Sequence, residues 1–145
     1  MADAHYDPDN IFAKILRGEI PCHRVYEDAQ TLAFMDVMPQ SEGHTLVIPK
    51  APARGLLDAD PESLAALMVS VQRVARAVKA AFQADGLTLF QFNEPAGGQT
   101  VFHLHVHVIP RREGVTLKRH EGGMADNAGL AEHAARIRAA LEAQG

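Results

Sequence analysis

Apolar and polar positions change period along the chain, and each change marks an element. Ile11, Phe12, Ile15 and Leu16 recur at helical spacing, so a short helix is expected over Ile11 to Arg17, capped by Asp9 or Asn10 and stopped at Gly18. Period two follows. Cys22 to Glu27 and Thr31 to Met35 read as strands joined by the polar turn Asp28-Ala29-Gln30, and His44 to Pro49 is apolar enough for a central strand. Asp60 and Pro61 suit an N-cap and a first helical position. Leu64, Leu67, Met68, Val71, Val74, Ala75, Val78 and Phe82 then occupy roughly a third of the helix circumference, with Arg73 and Arg76 outside it. Gly86 is expected to end this helix. Leu87 to Asn93 and Gln99 to Pro110 read as two more strands, and Arg111 to Gly114 as a polar exit. Met124-Ala125-Asp126-Asn127 opens a last helix, a C-terminal extension over 124–143 with Leu130, Ala134, Ile137 and Leu141 on one side, while His120 and His133 are expected in solvent.

The stretch Gln99 to Pro110 carries the chemistry. On a strand His103, His105 and His107 would leave one face in a row with a spacing of roughly 6.6 Å, while Phe102, Leu104, Val106 and Val108 face a core. Pro110, lacking an N–H, should end the ladder. Imidazole titrates at about 6.5 and is mostly neutral and nucleophilic at pH 7. Three readings of the row compete: plain surface histidines, a zinc site, or nucleophilic catalysis. Three residues on one straight strand lie too far apart to converge on zinc, so that reading needs outside ligands. Attack on phosphorus through a covalent histidine intermediate needs phosphate-binding neighbours instead.

Such neighbours precede the row. In Asn93-Glu94-Pro95-Ala96-Gly97-Gly98-Gln99-Thr100 the glycines let backbone N–H groups approach an anion, and Asn93, Gln99 and Thr100 offer amides and a hydroxyl. The plain alternative is a hairpin connection. Asp36, at a strand end, has a carboxylate able to accept from both ribose hydroxyls, or is an exposed turn residue. His44 could be no more than a satisfied strand-end histidine.

With 145 residues, 47% hydrophobic and 22% charged, the chain suits one globular domain over 1–145 with a single core. A net charge of −4 argues against a general nucleic-acid or anionic-membrane surface, and leaves room for a small anionic substrate in a locally positive pocket. Cys22 is the single cysteine, so no internal disulfide forms, as expected in a reducing compartment. Met1 to Asp9 is polar and acidic, without the apolar run of a signal peptide or span, so a cytoplasmic location is expected.

Gly97-Gly98-Gln99-Thr100-Val101-Phe102-His103-Leu104-His105-Val106-His107-Val108 resembles the signature of the histidine triad (HIT) family, three histidines alternating with apolar residues. Asp9 to Pro21 resembles the family's opening, and Leu32 to Val37, Pro39-Gln40 and Gly43 to Lys50 resemble its nucleoside-binding region, so the likeness covers about residues 9–110. The nearest branch is that of the histidine triad nucleotide-binding proteins, purine nucleoside phosphoramidases. The resemblance implies an α+β fold, a five-stranded antiparallel sheet with helices packed on it, joined to a second sheet in a homodimer through the long helix and the sheet edge. It implies a hydrolase or transferase acting at the α-phosphate of purine nucleotide conjugates of AMP. His105 is then the nucleophile, His107 and His103 its neighbours, Thr100 a proton relay and His44 a support for the triad. Phe12, Ile15, Phe34, Asp36, Val37, Leu46, Asn93, Gly98, Gln99 and Thr100 would bind the nucleotide with His105 and His107. A dinucleoside polyphosphate hydrolase and a non-catalytic nucleotide-binding protein are the alternatives. Two departures from the branch stand out. The chain has no Trp, where the branch often ends in a short segment carrying one, and its end is longer and helical. Some bacterial members hold zinc with Cys-x-x-Cys in the opening motif; here those positions are Asn10 and Ala13, so no metal and no cofactor are expected.

Overall fold

Alternation along adjacent strands decides where the histidines end up. The computed structural model describes residues 5–118 and 124–144. Its strands are β1 (Arg24–Glu27), β2 (Thr31–Met35), β3 (Thr45–Pro49), β4 (Gly86–Phe90) and β5 (Val106–Arg111), paired antiparallel in the order β1-β2-β3-β5-β4. Ala33, Met35, Val47, Val106 and Val108 leave one face and are buried under α2 (Pro61–Ala81) and α3 (Asn127–Ala143). Leu32, Phe34, Leu46 and Ile48 leave the other and pack with Phe12 of α1 (Ile11–Leu16). Leu46 pairs with His107. A one-residue slip would exchange the faces, so this register puts His107 on the α1 side.

Caps and turns follow from residue chemistry. The Asn10 side chain accepts the Ala13 N–H at 2.8 Å, Asp60 accepts from Glu62 at 3.2 Å and Asp126 from Gly129 at 2.6 Å. Leu67, Val71, Val74 and Val78 are almost wholly buried, each contributing about 1.5–3 kcal/mol. Asp28 pins the β1–β2 turn to α2: it accepts the Gln30 and Thr31 N–H groups at 2.8 Å, the Tyr26 hydroxyl at 2.8 Å and the Ser70 hydroxyl at 3.3 Å. Burial alone would raise its pKa, but those donors outweigh burial and bring it down to about 2.

Several expected boundaries move. α1 stops at Leu16, β1 starts at Arg24, β3 starts at Thr45 and β4 stops at Phe90, short of Asn93. Gly86 does not end α2: the helix closes at Ala81, the chain turns through Gln83 at φ 49°, and Gly86 opens β4. Met68 lies off the buried stripe, 51% exposed. His133 packs edge-on against Phe82 at 5.2 Å rather than standing in solvent, and His120 lies outside the described residues.

The largest correction concerns the triad segment. β5 begins only at Val106, so Gln99 to His105 is not strand and the straight three-histidine row does not exist. β3 ends at Pro49, which has no N–H to offer, and the Leu104 N–H donates to the Ala53 carbonyl at 2.8 Å. Leu104, Val106 and Val108 do enter the core, but Phe102 sits half-buried under the Arg54 guanidinium, 4.2 Å from its ring centre. Pro110 is inside β5, not beyond it. The two polar groups of a strand residue point to one side, and the Pro110 carbonyl accepts from the Ser41 hydroxyl at 2.9 Å, on the side where β3 pairing has already ended at Val108. The missing N–H costs no ladder bond there.

Candidate active site

His105 precedes β5, and its Nδ1 lies 2.7 Å from the His103 backbone carbonyl. A carbonyl only accepts, so Nδ1 carries the proton and the lone pair belongs to Nε2. Phe12 stands edge-on to the ring at 4.9 Å and His107 at 5.1 Å, so the ring is held on two flanks. His105 and His107 line a cleft of about 640 Å³ on the α1 side of the sheet. Phe12, Ile15, Phe34, Val37 and Leu46 make its apolar wall, and Asp36 and Thr100 are polar groups on its lining. That mixture, mostly apolar with a few convergent polar groups, is what a small-molecule site requires.

Behind His107 runs a buried polar chain. The Gln40 N–H donates to His44 Nδ1 at 3.0 Å, which makes Nε2 the protonated nitrogen of His44. That Nε2–H is 2.9 Å from His107 Nδ1 and 3.3 Å from Asp36 Oδ2. His107 Nδ1 is then an acceptor, and its proton sits on Nε2. Asp36 also accepts the Met38 N–H at 2.8 Å through Oδ1. The arrangement can present a lone pair on His105 beside an N–H on His107, a nucleophile next to an oxyanion donor.

Other expected residues land elsewhere. His103 is fully buried and away from the cleft, its Nε2 donating to the Pro49 carbonyl at 2.8 Å and its Nδ1 2.7 Å from the Tyr6 hydroxyl. Burial pushes its pKa down, outweighing the Pro49 hydrogen bond, so the ring is neutral at neutral pH. Gln99 uses both amide N–H groups on the Arg54 and Val101 carbonyls, at 2.7 and 3.0 Å, and its oxygen on the Glu94 N–H at 2.8 Å. Asn93 accepts the Leu56 N–H at 2.8 Å and bonds to Gln91. These two side chains brace the glycine-rich loop and do not reach the cleft. Gly98 turns that loop at φ 99°, with Phe92 3.3 Å from where a Cβ would stand. Ile11, Ile20 and Met124 also line the cleft; Ile11 and Ile20 fall in the opening motif and Met124 at the start of the last helix, but no local pattern turns them toward a ligand.

Asn10 is engaged in capping α1 and Ala13 has no donor atom, so the opening motif does not fit zinc. Among the described residues Asp36, His44 and His107 bring three donor atoms within 4.8 Å of one another, and these atoms hydrogen-bond among themselves.

Known proteins resemble this chain in sequence and in fold. The profile described as HIT domain matches residues 17–114. A Hit-like protein from Bartonella henselae, described as involved in cell-cycle regulation and solved with an unknown ligand, is 57% identical with a TM-score of 0.89, over 94% of this chain and 99% of that one. A zinc-bound histidine triad family protein from Mycobacterium smegmatis is 38% identical, with a TM-score of 0.84 over 94% of this chain and 95% of that one. The adenylylsulfatase HINT3 of Arabidopsis thaliana is 41% identical over 105 residues, 72% of this chain and 53% of that protein. The chain belongs to the HIT domain family.

Proposed function

We propose that the protein is a nucleotide hydrolase or transferase that acts at the α-phosphate of purine nucleoside phosphoramidates or related AMP conjugates. The observation that carries this reading is the 2.7 Å contact between His105 Nδ1 and the His103 carbonyl, which puts the lone pair on Nε2 of a histidine lining the cleft. In the first step Nε2 of His105 bonds to phosphorus and the bond to the leaving amine breaks. Thr100, on the cleft lining, relays a proton from solvent to that amine. The N–H of His107 stabilises charge on the phosphoryl oxygens, the contribution phosphoryl transfer depends on most. Water then forms the new P–O bond as the P–N bond to His105 breaks; the proton that water gives up returns to solvent, offsetting the one taken up by the amine, and His105 is left neutral with its proton on Nδ1. Phe12, Ile15, Phe34, Val37 and Leu46 would hold the base and Asp36 the ribose. The name of the Arabidopsis relative, an adenylylsulfatase, fits displacement at an adenylyl group.

The reading includes a homodimer in the cytoplasm. Leu89 on the edge strand β4 and Met68 and Val69 on α2 are 45%, 51% and 61% exposed, apolar surface that a second copy would cover. Among the described residues no helix is long and apolar enough to cross a membrane.

The test is His105→Ala assayed on adenosine phosphoramidate, with AMP binding followed by calorimetry. Turnover should vanish while AMP still binds. Activity above about one per cent would remove His105 as nucleophile, because loss of a nucleophile costs far more than about 10².

A further inference from the structure

The segment that ends in His105 lacks ladder support, so something else must hold it. Residues 101–105 precede β5 and are held by loop contacts, Gln99 on the Val101 carbonyl, Arg54 over Phe102 and the Leu104 N–H on the Ala53 carbonyl, and by the buried ring of His103, which reaches the end of β3 at Pro49. That ring is clamped at both nitrogens. The Pro49 carbonyl can only accept, so His103 Nε2 carries the proton and Nδ1 the lone pair. The group facing Nδ1, at 2.7 Å, is the Tyr6 hydroxyl, which must therefore donate. Tyr6 also stands edge-on to the imidazole, with ring centres 5.5 Å apart.

Tyr6 is itself held in place. The His5 carbonyl accepts from Arg54 at 3.3 Å. The same guanidinium makes a forked pair with Glu94 at 2.9 to 3.2 Å, and the Arg54 carbonyl accepts from Gln99 at 2.7 Å. On the other side the Asp7 carbonyl accepts from the Asn10 side chain at 2.7 Å, at the start of α1. The strap at residues 5–7 is thus tied to α1, to the loop after β3 and to the glycine-rich turn.

We infer that Tyr6, from a strap outside the matched HIT domain, is a positioning residue: it fixes the His103 imidazole so that the His103 backbone carbonyl orients the nucleophilic ring of His105. This rests on the reading of His105 as nucleophile. Neither Tyr6 nor His103 lines the cleft, so the effect belongs to the chemical step and not to nucleotide binding. A misplacement of about 1 Å can cost on the order of 10² in rate, and loss of one of two clamps on a buried ring should cost about tenfold.

Tyr6→Phe tests this in the full chain, since it removes the hydroxyl and keeps the ring. The expected result is kcat lower by about tenfold, KM within about twofold, and a changed 15N shift at His103 Nδ1 that reports the lost donor. An unchanged kcat overturns the inference whether or not the His103 signal moves. A lower kcat with an unmoved His103 signal overturns it too, because the effect would not run through that ring. Assayed beside them, His105→Ala separates the two claims: turnover retained there sinks the nucleophile assignment, while the His103 signal still reports whether the Tyr6 bond exists.

Discussion

His44 Nε2 lies 2.9 Å from His107 Nδ1, with both rings buried and Asp36 Oδ2 3.3 Å from the same His44 nitrogen. Because the Gln40 N–H occupies His44 Nδ1, the protons of the whole chain are ordered from the backbone outward to His107. The backbone thereby determines which nitrogen of His107 is a donor toward the cleft.

His44→Ala should lower kcat by at least about tenfold and stability by about 2–3 kcal/mol, since it takes the acceptor from the part-buried Gln40 N–H and opens a cavity where a fully buried ring stood. Steady-state kinetics and urea unfolding on the same preparation check both. Full activity would show that the proton order at His107 does not matter.

Acid should weaken the fold through His103. Burial holds its folded pKa below that of an unfolded histidine, so the unfolded chain binds more protons in the window between the two. The contribution is fully present above about pH 6.5 and is lost as pH falls through the lower folded value. Urea midpoints measured at about pH 7.5 and about pH 5.5 should drop for the parent chain and drop less for His103→Gln.

Asp28→Asn should cost about 1–2 kcal/mol near pH 7, a figure discounted for the turn's partial exposure. Its folded pKa of about 2 against an ordinary 3.8 means that this stability is present above pH 3.8 and disappears as pH falls toward 2. The gap between parent and variant should therefore close across that window in acid titrations followed by circular dichroism.

Two glycines give a contrast. Gly43 has φ 90°, and a Cβ there would stand 2.6 Å from the Phe82 ring, whereas a Cβ at Gly86 would meet nothing within 4 Å. Gly43→Ala should lose about 2 kcal/mol or more, and Gly86→Ala should stay within about 0.5 kcal/mol, by thermal or urea unfolding.

Much of this molecule was legible in its residues. Asp60-Pro61 and Asp126 announce helix starts through capping chemistry, and Thr31 to Met35 announces a strand through side-chain pattern, because both signals are local. The alternation Phe102 to Val108 misled for the same reason: period two says which side chains share a face, but not whether a partner strand is present to pair with. β3 runs out at Pro49, so His103 turns inward to Pro49 and Tyr6 while His105 and His107 keep the cleft. The amides of Asn93 and Gln99 suggest ligand groups through their residue type and their place beside the glycine-rich turn. Their actual partners, Leu56, Arg54 and Val101, come from loops whose closure no local pattern specifies. Tyr6, in a polar terminal segment, carried no signal at all.

Rapid quenching without acid, followed by peptide mass spectrometry of the protein turning over adenosine phosphoramidate, tests the central claim most directly. The account predicts an AMP adduct on His105 that forms and decays within the turnover time. An adduct on His103, His107 or any other residue, or turnover with no adduct trapped at saturating substrate, would contradict it.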